Sequence, residues 1–465
     1  MKRILKYTFG ILSFAIILAV ILLRPNDRES FSQTHYAQRT LERLEQLPAH
    51  PPPGVLLAGI GRTEITPTIG EPLAGYGARN PMSSNAIDTP LYARALSLSN
   101  GHQTVTILSA DLLLIPPAMR QHILRELNLP PAAVYFSATH THSGPGGYAP
   151  GFLYELAFGE YDSRTFQRLA DKLIRTIRIS RMDLQPAAMQ SSQLGTTLPF
   201  VRNRIEFGAE PHATMNLTAV YRPGQSNPLA LLIIASPHAT CLGKTNRSLN
   251  GDYPGALQQK LESGHTHMAL FMAGAVGSMT VVGAHSERAC VQHTSDTIAA
   301  AVGAALTHIA HRRGTINTVA LFSQIVPVDL PSPGIRLGEH LRLAPFLVSG
   351  FFDRYSYIHM LKLHDQLFLG MPGDYSGELA IKLERYIRTL PQNHADGQAG
   401  HAIITSFNGD YIGYLLPRRR FALDHYESRT MSFYGPWVGE YLHLIALRLY
   451  TRYMQTHIHQ RNSSE

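Results

Sequence analysis

The chain has 465 residues, of which 44% are hydrophobic and 16% are charged, and its formal charge is +8. This composition argues against a disordered or fibrous protein and indicates a globular one with enough chain to bury a large core. The basic residues form no long run, so we predict no nucleic-acid partner; an anionic membrane surface is at least as compatible with the charge.

The N-terminus carries a possible membrane segment. An uncharged apolar stretch, 7–23, follows a basic start and precedes Arg24. At a rise of about 1.5 Å per residue such a helix barely crosses a hydrocarbon core of about 30 Å. Because basic residues precede it, we predict that residues 1–26 form an uncleaved transmembrane anchor that leaves the rest of the chain on the periplasmic side of a bacterial inner membrane. A cleaved signal peptide is the alternative.

Three further parts follow the anchor. Residues 27–53 are polar and then rich in proline, which predicts a helical or irregular stalk. Residues 54–458 contain apolar strands that alternate with helices, as in an α/β domain. Within them, 341–360 is rich in Phe, Tyr and Leu and predicts a core or cover helix, or alternatively the lining of an apolar pocket or lid. A polar tail, 459–465, ends the chain.

A histidine motif organises the domain. The stretch 138–148, which reads Ala-Thr-His-Thr-His-Ser-Gly-Pro-Gly-Gly-Tyr, follows a β-branched and aromatic run that predicts a buried strand. In an extended segment His140 and His142 point to the same side, because side chains alternate with a period of two. One of them can bind a cation while the other acts as an acid, a base or a second ligand. The alternative is a turn with two polar surface histidines.

Other apolar strands also end in residues suited to a site. His238, Asp374 and Tyr411 each come shortly after an apolar stretch. Together with His140, such residues make a plausible ligand set for a catalytic zinc ion with one open position. Each residue alone is weak evidence, because a lone histidine or a tyrosine at a strand end is usually structural.

The chain contains two cysteines, Cys241 and Cys290, which are too few for a disulfide or metal framework. They could pair if the fold brings them together. Cys241 lies three residues after His238, so a ligand role is conceivable, but a small buried hydrophobic residue is the more usual interpretation.

These motifs together resemble the neutral ceramidase family, zinc amidases that hydrolyse the N-acyl bond of ceramide. The resemblance covers about residues 57–447, and the stretch 139–148 is its most specific part. Further motifs follow in the family's order: Gly61-Arg62, Gly75-Tyr76-Gly77, Leu-Tyr-Ala-Arg-Ala at 91–95, Asn203-Arg204, His238-Ala239-Thr240, Pro372-Gly373, Tyr426-Glu427 and Tyr434-Gly435-Pro436. The resemblance implies an α/β fold with a large mixed sheet and flanking helices. We expect the family's C-terminal β-sandwich domain to be absent.

The resemblance also implies a metal site that binds Zn²⁺. His140 and His238 match the family's zinc-binding histidines. Tyr411 stands where the family has a zinc-binding tyrosine, and Asp374 where it has a zinc-binding glutamate. Aspartate is shorter by one methylene group, so the backbone at Asp374 must come closer to the metal.

Three further positions match residues that act on the substrate. His142 matches the catalytic histidine of the motif, and Arg204 matches an arginine that contacts the reacting or carboxylate end of the substrate. Thr280 occupies the position of the family's proposed nucleophilic serine. Ser278 lies two residues earlier and would face the same side in an extended segment.

The resemblance therefore implies a zinc-dependent hydrolase that cleaves the N-acyl amide bond of a lipid or lipid-like substrate. We expect a second partner, the membrane, through the N-terminal helix, and the sequence leaves the oligomeric state open. One alternative is a periplasmic metal-dependent esterase or amidase that acts on another envelope substrate, which the change at Thr280 favours. The other is a catalytically inert, membrane-anchored binding protein.

Overall fold

The computed structural model describes residues 2–26, 30–79, 81–195, 200–282, 286–312, 315–390 and 400–462. The helices, in chain order, are α1 (Lys2–Leu22), α2 (His35–Glu45), α3 (Pro117–Leu127), α4 (Phe152–Phe158), α5 (Ser163–Met182), α6 (Asp252–Gly264), α7 (Glu287–Arg312), α8 (Gly377–Thr389), α9 (Arg418–Phe421), α10 (Tyr426–Arg429) and α11 (Val438–Asn462). Short 3-10 helices lie at Phe31–Gln33, Gly77–Arg79, Pro131–Ala133 and Pro345–Leu347.

Most strands are short. In chain order they are β1 (Leu23–Pro25), β2 (Gly54–Val55), β3 (Leu57–Glu64), β4 (Ala86–Ile87), β5 (Tyr92–Ser99), β6 (Thr104–Ala110), β7 (Val134–Ala138), β8 (Gln185–Pro186), β9 (Ala188–Gly195), β10 (Val201–Asn203), β11 (Thr214–Tyr221), β12 (Ala230–Ala235), β13 (Ser248–Leu249), β14 (Met268–Ala273), β15 (Met279–Val281), β16 (Thr318–Val319), β17 (Leu321–Asp329), β18 (Leu341–Leu343), β19 (Tyr355–Leu363), β20 (Gln366–Gly370), β21 (Asp374–Tyr375), β22 (His401–Thr405) and β23 (Tyr414–Leu415).

The larger strands form three sheets, with the orders β7-β6-β5-β3-β8, β14-β12-β11-β9 and β17-β19-β20-β22. In each sheet one pair is parallel, namely β6–β7, β12–β14 and β20–β22, and the other pairs are antiparallel. The predicted mixed α/β character is therefore confirmed. The prediction of one large sheet is wrong, because the longer strands divide among three sheets that share a core, and short strands form five two-stranded sheets among the residues that the structure describes.

That shared core lies between the sheets. Ile107 of β6, Leu232 of β12 and Phe368 of β20 belong to one buried apolar cluster. Helices cover the outer faces: α3 and α5 pack on the first sheet, α6 and α7 on the second, and α8 and α11 on the third. Strands that are buried on both faces need nearly continuous apolar sequences, which explains the apolar runs of the chain.

The same supersecondary unit occurs in each sheet. In each of these three sheets a helix connects the two strands of the parallel pair: α3 joins β6 to β7, α6 joins β12 to β14, and α8 joins β20 to β22. A parallel pair requires such a crossover connection, and ligand sites form beyond the carboxyl ends of its strands. The three units place these ends at one end of the shared core, where Ser406 donates a hydrogen bond to Gly274 and Asn408 donates one to Phe136.

The N-terminal segment differs from the prediction. The transmembrane anchor over residues 1–26 finds no support, since no helix within the described part of the chain has the length and apolar character needed to cross a bilayer. Most of the predicted stalk, 27–53, lies against the domain. Ala37 and Leu44 of α2 are buried in the core beneath the third sheet, and Arg43 forms an ion pair with Asp329.

Two smaller predictions have different outcomes. The predicted helix over 341–360 is wrong, because this segment contains β18, a 3-10 turn and the first part of β19, and β19 pairs with β17 and β20. The predicted polar tail, 459–465, begins within α11, whereas residues 463–465 lie outside the described residues. The division of the chain into anchor, stalk, domain and tail otherwise stays a prediction.

Candidate metal centre

Three histidines meet at the carboxyl ends of the parallel strands. His140 and His142 follow β7, and His238 follows β12. The Nε2 atom of His140 lies 3.0 Å from that of His238 and 3.3 Å from that of His142, and the remaining Nε2 pair is 3.1 Å apart. The fold therefore brings together the three histidines that the sequence singled out, and each of them offers the same ring atom.

The backbone reaches this arrangement in a different way from the prediction. His140 has a φ of 61°, in the left-handed region that residues with a Cβ rarely adopt. The segment is thus a turn at this point, so strand alternation does not explain why His140 and His142 converge. The ring of Phe407, which follows β22, stacks on His140 with a centroid distance of 4.0 Å and an interplanar angle of 13°. Packing against the third sheet thereby holds the turn.

Backbone carbonyls orient two of the rings. His140 Nδ1 lies 2.7 Å from the carbonyl oxygen of Leu113, and His238 Nδ1 lies 3.3 Å from that of Val276. A carbonyl only accepts, so each Nδ1 carries the proton and donates it, and each Nε2 presents a lone pair. Two Nε2 lone pairs cannot bond to each other. The close Nε2 contact of His140 and His238 is therefore an arrangement of acceptors that requires a cation.

Burial keeps these imidazoles neutral. It lowers the pKa of His140 to about 3 and that of His142 and His238 well below the usual value. Arg204 adds a further repulsive charge that lowers all three pKa values. Neutral imidazole is the form that binds a metal. Tetrahedral zinc with bonds of about 2.0–2.1 Å places two nitrogen ligands about 3.3 Å apart, which agrees with the spacing of the Nε2 atoms. The histidines thus fit a zinc ion.

A carboxylate completes the site. Asp374 begins β21, just beyond the carboxyl end of β20. Its Oδ1 lies 3.8 Å from His140 Nε2 and is a buried oxygen without a hydrogen-bond partner. Its Oδ2 accepts a hydrogen bond of 2.9 Å from the hydroxyl of Tyr411. Burial raises the pKa of Asp374 to about 7 and that of Tyr411 well above its usual value. The unpartnered Oδ1 of Asp374 is a candidate metal ligand. Tyr411 contacts this site through its hydrogen bond to the other oxygen of Asp374.

Arg204 lies beside the histidines in a ring of aromatic side chains. Its Nε donates a hydrogen bond of 2.6 Å to Glu427, and its Nη2 donates one of 3.2 Å to the hydroxyl of Tyr414. The guanidinium also lies 5.4 Å from the ring centre of Tyr426. Although burial by itself lowers the pKa of Arg204, the charges of Tyr414 and Glu427 outweigh it, and the pKa is raised. Arg204 therefore supplies a permanent positive charge.

The two candidate hydroxyl groups differ in position. Ser278 is fully buried, its N–H donates to Glu427, and its carbonyl accepts a hydrogen bond of 2.8 Å from the N–H of Arg204. Thr280 lies on β15, where it pairs with Arg202, and is half-buried. Ser278 has a φ of 65°, so the segment is not extended there and the predicted common facing of the two hydroxyls does not follow. Ser278 and Arg204 therefore bond to each other through their backbones, and both donate to Glu427.

Some residues of the site escaped the sequence reasoning. Glu427 is completely buried and forms an ion pair with Arg204. The Tyr426-Glu427 motif by itself indicates no role for Glu427. Tyr76 packs on His142 with ring centres 4.8 Å apart. The turn around Gly75 is equally close, since a Cβ at Gly75 would come within 2.7 Å of the His142 ring. Only long-range packing creates these contacts, so local patterns do not predict them.

Cys241 is not a metal ligand. It forms a disulfide with Cys290, the Cα atoms being 5.4 Å apart. The carboxylate of Asp252 accepts hydrogen bonds from the N–H groups of Cys241 and Leu242. The disulfide and Asp252 therefore fasten the loop that follows His238 to α6 and α7.

Comparison with known proteins adds independent information. The family described as neutral/alkaline non-lysosomal ceramidase, N-terminal, matches residues 56–297, which is just over half of the chain. The neutral ceramidase of Pseudomonas aeruginosa is 29% identical over 141 residues, 28% of this chain and 21% of that protein. Neutral ceramidase B of Dictyostelium discoideum is 28% identical over 219 residues, 42% of this chain and 30% of that protein. The matched parts thus span less than a third of these relatives.

Solved structures share the fold. A structure described as ceramidase complexed with C2 superposes with a TM-score of 0.71 at 18% identity, over 86% of this chain and 76% of that chain. The crystal structure of neutral ceramidase from Pseudomonas aeruginosa has a TM-score of 0.68 at 20% identity, over 86% of this chain and 75% of that chain. These identities speak for the fold alone. With the family match over more than half of the sequence, they show that this chain belongs to the neutral/alkaline non-lysosomal ceramidase family.

Proposed function

We propose that the protein is a zinc-dependent hydrolase that cleaves the N-acyl amide bond of ceramide or a similar lipid amide. The observation that carries this proposal is the convergence of three neutral Nε2 atoms beside the permanent charge of Arg204. The names of the relatives, neutral ceramidases, support an amide of a lipid as the substrate. Imidazole ligands with one carboxylate favour zinc among the metals available to proteins.

His140 and His238 would hold the metal, with Asp374 Oδ1 as the carboxylate ligand and Tyr411 as a further ligand or as a donor to a developing oxyanion. When bound, Zn²⁺ supplies Lewis-acid polarisation of a carbonyl oxygen and lowers the pKa of a water molecule. The unpartnered state of Asp374 Oδ1 supports its assignment, since a buried carboxylate oxygen normally has a partner.

His142 has two possible roles. As an acid–base group it would take a proton from the attacking group and give it to the leaving amine, and its neutral state suits the base. As a third ligand it would use the same Nε2 atom, which lies as close to its neighbours as they lie to each other. Metal analysis of His142→Ala distinguishes the roles. Retained zinc with lost turnover means an acid–base group, whereas lost zinc means a ligand.

Arg204 and a hydroxyl group would act on the substrate itself. Arg204 would attract a polar or anionic end of the substrate through a charge-assisted hydrogen bond, while Glu427 keeps its guanidinium in place. Thr280, or Ser278, would donate a hydrogen bond to the carbonyl oxygen or act as nucleophile. Ser278 and Arg204 both donate to Glu427, which favours Ser278 for this role, and the Ser278 hydroxyl lies 3.3 Å from Ser376 Oγ.

The two alternatives remain distinguishable from this proposal. An esterase or amidase for another envelope substrate would use the same metal centre and the same attacking water on a different acyl compound, with another amine or an alcohol as the leaving group. An inert binding protein has no need for two acceptor atoms that face each other, so the geometry of His140 and His238 beside His142 argues against it.

We also propose that the domain lies outside the cytoplasm, attached to the periplasmic side of a bacterial inner membrane through the apolar side chains of α1. The disulfide between Cys241 and Cys290 supports an oxidising compartment. Protease protection of the protein in intact cells and in permeabilised cells tests this location.

A substrate panel tests the activity. Zinc-loaded full chain is incubated with N-acyl sphingoid bases, N-acyl amino acids and acyl esters, with His140→Ala as the inactive control. Release of fatty acid from N-acyl sphingoid bases, absent in the control, is the expected result. Preferred cleavage of another class would move the assignment to the envelope hydrolase. No cleavage of any class, by protein that contains zinc, would contradict the proposal.

A further inference from the structure

Large apolar side chains are exposed on two segments near the metal centre. Phe152 and Leu156 of α4 are 63% and 52% exposed. Phe346, Leu347 and Phe351, in the segment that follows β18, are 60%, 37% and 57% exposed. The rings of Phe152 and Phe351 contact each other with centres 6.2 Å apart, so the two groups are one surface. We call these five residues the apolar rim.

One side of the apolar rim touches the turn that packs on His142. The carbonyl of Ala157 in α4 accepts a hydrogen bond of 2.8 Å from the N–H of Gly75. Gly75 in turn lies directly against the His142 ring. A single layer of backbone therefore separates α4, which carries Phe152 and Leu156, from the histidines.

The other side reaches the Tyr411 loop. Phe352, next to Phe351, packs on Phe433 with ring centres 4.7 Å apart, and the hydroxyl of Tyr434 donates to the carbonyl of Asp353. Phe433 lies against Gly413, where a Cβ would come within 3.0 Å of its ring. Gly413 is two residues from Tyr411. The apolar rim thus borders the site on two sides.

The helix α1 joins the same surface. Its last turn continues into β1, which pairs with β18 from Leu23 opposite Leu343, and the N–H of Ala344 donates to the carbonyl of Leu22. The apolar rim begins two residues later, at Phe346. Along α1 large apolar side chains face away from the protein, among them Phe9 at 73% and Phe14 at 67% exposed. The exposed apolar face of α1 and the apolar rim thus meet where β1 pairs with β18. Apolar surfaces of this size mark contacts with a membrane or another protein.

Cationic side chains flank the paired strands β1 and β18. A groove of about 670 Å³ opens beside Asn26 and is lined by the exposed side chains of Lys382, Arg418 and Arg419. Among its acids, Glu339 is exposed, Glu440 accepts a hydrogen bond from the backbone of Arg418, and Glu378 is 8% exposed and held by Arg420. The solvent-facing charge of the groove is therefore mainly positive, which complements anionic headgroups next to an apolar layer.

We propose that the apolar rim docks on the surface of a lipid bilayer, with α1 against the same surface and the cationic groove over anionic headgroups. Aromatic side chains at the level of the headgroups are the usual anchors of such interfaces. Docking in this orientation places the Gly75 turn beside His142 and the Tyr411 loop next to the lipid. A lipid amide would then enter the site from the bilayer; this last step rests on the proposed function, whereas the docking does not.

Fluorescence quenching tests the docking itself. Trp437 is the single tryptophan of the chain, so Trp437→Phe provides a silent background. Phe351→Trp places a probe in the apolar rim, and Met182→Trp places a control probe at an even more exposed site, since Met182 is 87% exposed. Met182 ends α5, whose N-cap Asp162 contacts Gly147 in the glycine-rich turn after the histidines. A helix of 20 residues carries the control about 30 Å from that turn.

Both full-length variants are mixed with vesicles of phosphatidylcholine and phosphatidylglycerol that carry brominated acyl chains. The fluorescence of the Phe351→Trp variant should fall by at least about half, and that of the Met182→Trp variant by much less, because the bromine atoms lie only within the apolar layer. Equal quenching of both probes, or none at position 351, overturns the proposal. A blue shift in the emission of the Phe351→Trp variant that grows with protein concentration and does not depend on the vesicles also overturns the proposal. It would assign the apolar rim to contact with a second copy of the chain.

Turnover separates docking from chemistry. Phe152→Ser combined with Phe351→Ser should lower hydrolysis of a ceramide embedded in vesicles by at least about 10-fold, since it removes the apolar anchors of the interface. Hydrolysis of a water-soluble short-chain N-acyl amide should stay unchanged, and Met182→Ser should change neither rate. Equal rates with vesicles, or an equal loss on both substrates, overturns the proposal. If the parent cleaves neither substrate, the proposed function fails, and the quenching result still decides the docking.

Discussion

Two of the buried polar clusters built around imidazoles differ in what their nitrogens contact. In the metal centre, the Nε2 atoms of His140, His142 and His238 face each other at 3.0–3.3 Å. Between the second and third sheets, His212 lies 2.7 Å from Ser236 Oγ through Nδ1 and 2.9 Å from Glu384 through Nε2. The first cluster joins His140 to His238 acceptor to acceptor, and the second joins each nitrogen of His212 to a protein partner.

This difference separates a binding site from a polar part of the core. Thr214 donates to the second oxygen of Glu384, and Ser236 also accepts a hydrogen bond from Ala275. Every polar group around His212 therefore has a partner, so this cluster needs no ligand. The candidate metal centre is incomplete as a protein structure, because Asp374 Oδ1 has no partner and the Nε2 lone pairs of His140 and His238 face each other. Burial alone does not mark a functional histidine; the convergence of unpaired acceptors from several segments does.

Metal content gives the largest expected contrast between the clusters. We expect His140→Ala to weaken zinc binding by more than about 100-fold, the upper loss known for residues that only support a ligand. His212→Gln should keep about one zinc per chain, because His212 contacts no ligand of the site. Zinc titration with a competing chelator measures both. Equal zinc affinity in the two variants would mean that His140 is not a metal ligand.

Stability should show the opposite order. In zinc-free protein, His212→Leu leaves Glu384 and Ser236 buried without their partner, and we expect the free energy of unfolding to fall by about 2–4 kcal/mol. His140→Ala in zinc-free protein should cost less, because it also removes one of the mutually repelling acceptors. Urea unfolding at pH 7 gives both values. A loss below about 0.5 kcal/mol for His212→Leu would show that its hydrogen bonds are replaced by water.

The contacts of Arg204 allow a smaller test within the metal centre. Ser278→Ala should lower kcat/KM by about 10–100-fold, the size expected when one donor or nucleophile near the reacting carbonyl is lost. Thr280→Ala should lower it by less than about threefold, since β15 holds Thr280 opposite Arg202. Single-turnover kinetics on a soluble amide give these ratios, with zinc content as the control. The reverse order would restore Thr280 as the acting hydroxyl.

A buried lysine gives the smallest effect and tests whether burial alone shifts a titration in this core. Lys362 of β19 is 1% exposed, and burial lowers its pKa to about 8. Below that pH both folded and unfolded chains bind the proton. Above it the folded chain releases the proton while the unfolded chain keeps it up to about pH 10.4, so stability rises with pH.

Between pH 8 and pH 9 this rise should be about 1 kcal/mol for the parent relative to Lys362→Met, which has no such proton. Urea unfolding of both proteins at the two pH values measures it. The Met variant controls for every other group that titrates in this range. A constant difference between the two proteins would mean that Lys362 keeps its proton throughout.

Local patterns predicted much of the fold. The buried strand expected just before the histidine motif is β7, because a β-branched and aromatic apolar run acts over a few residues. The segment 341–360 shows the limit. Its aromatic residues suggested a helix, but pairing of β19 with two neighbours decided its structure, and β-propensity depends on such neighbours.

The sequence named several residues that the fold brings together, but it did not predict how they are arranged. The histidines and Asp374 meet because they follow strands of three different sheets, and no local pattern states that these sheets share one end. His140 and His142 converge through a left-handed turn rather than through alternation. The pairing of Cys241 with Cys290 and the contact of Glu427 with Arg204 join residues far apart in the chain.

By itself, the amino-acid sequence determined which chemical groups are available and on which strand ends they lie, because residue type and local periodicity are properties of short segments. Only the tertiary structure decided that three Nε2 atoms face one point, that Asp374 keeps a free oxygen, and that the apolar rim borders the site. These are distances between segments, and they follow from the packing of three sheets around one core.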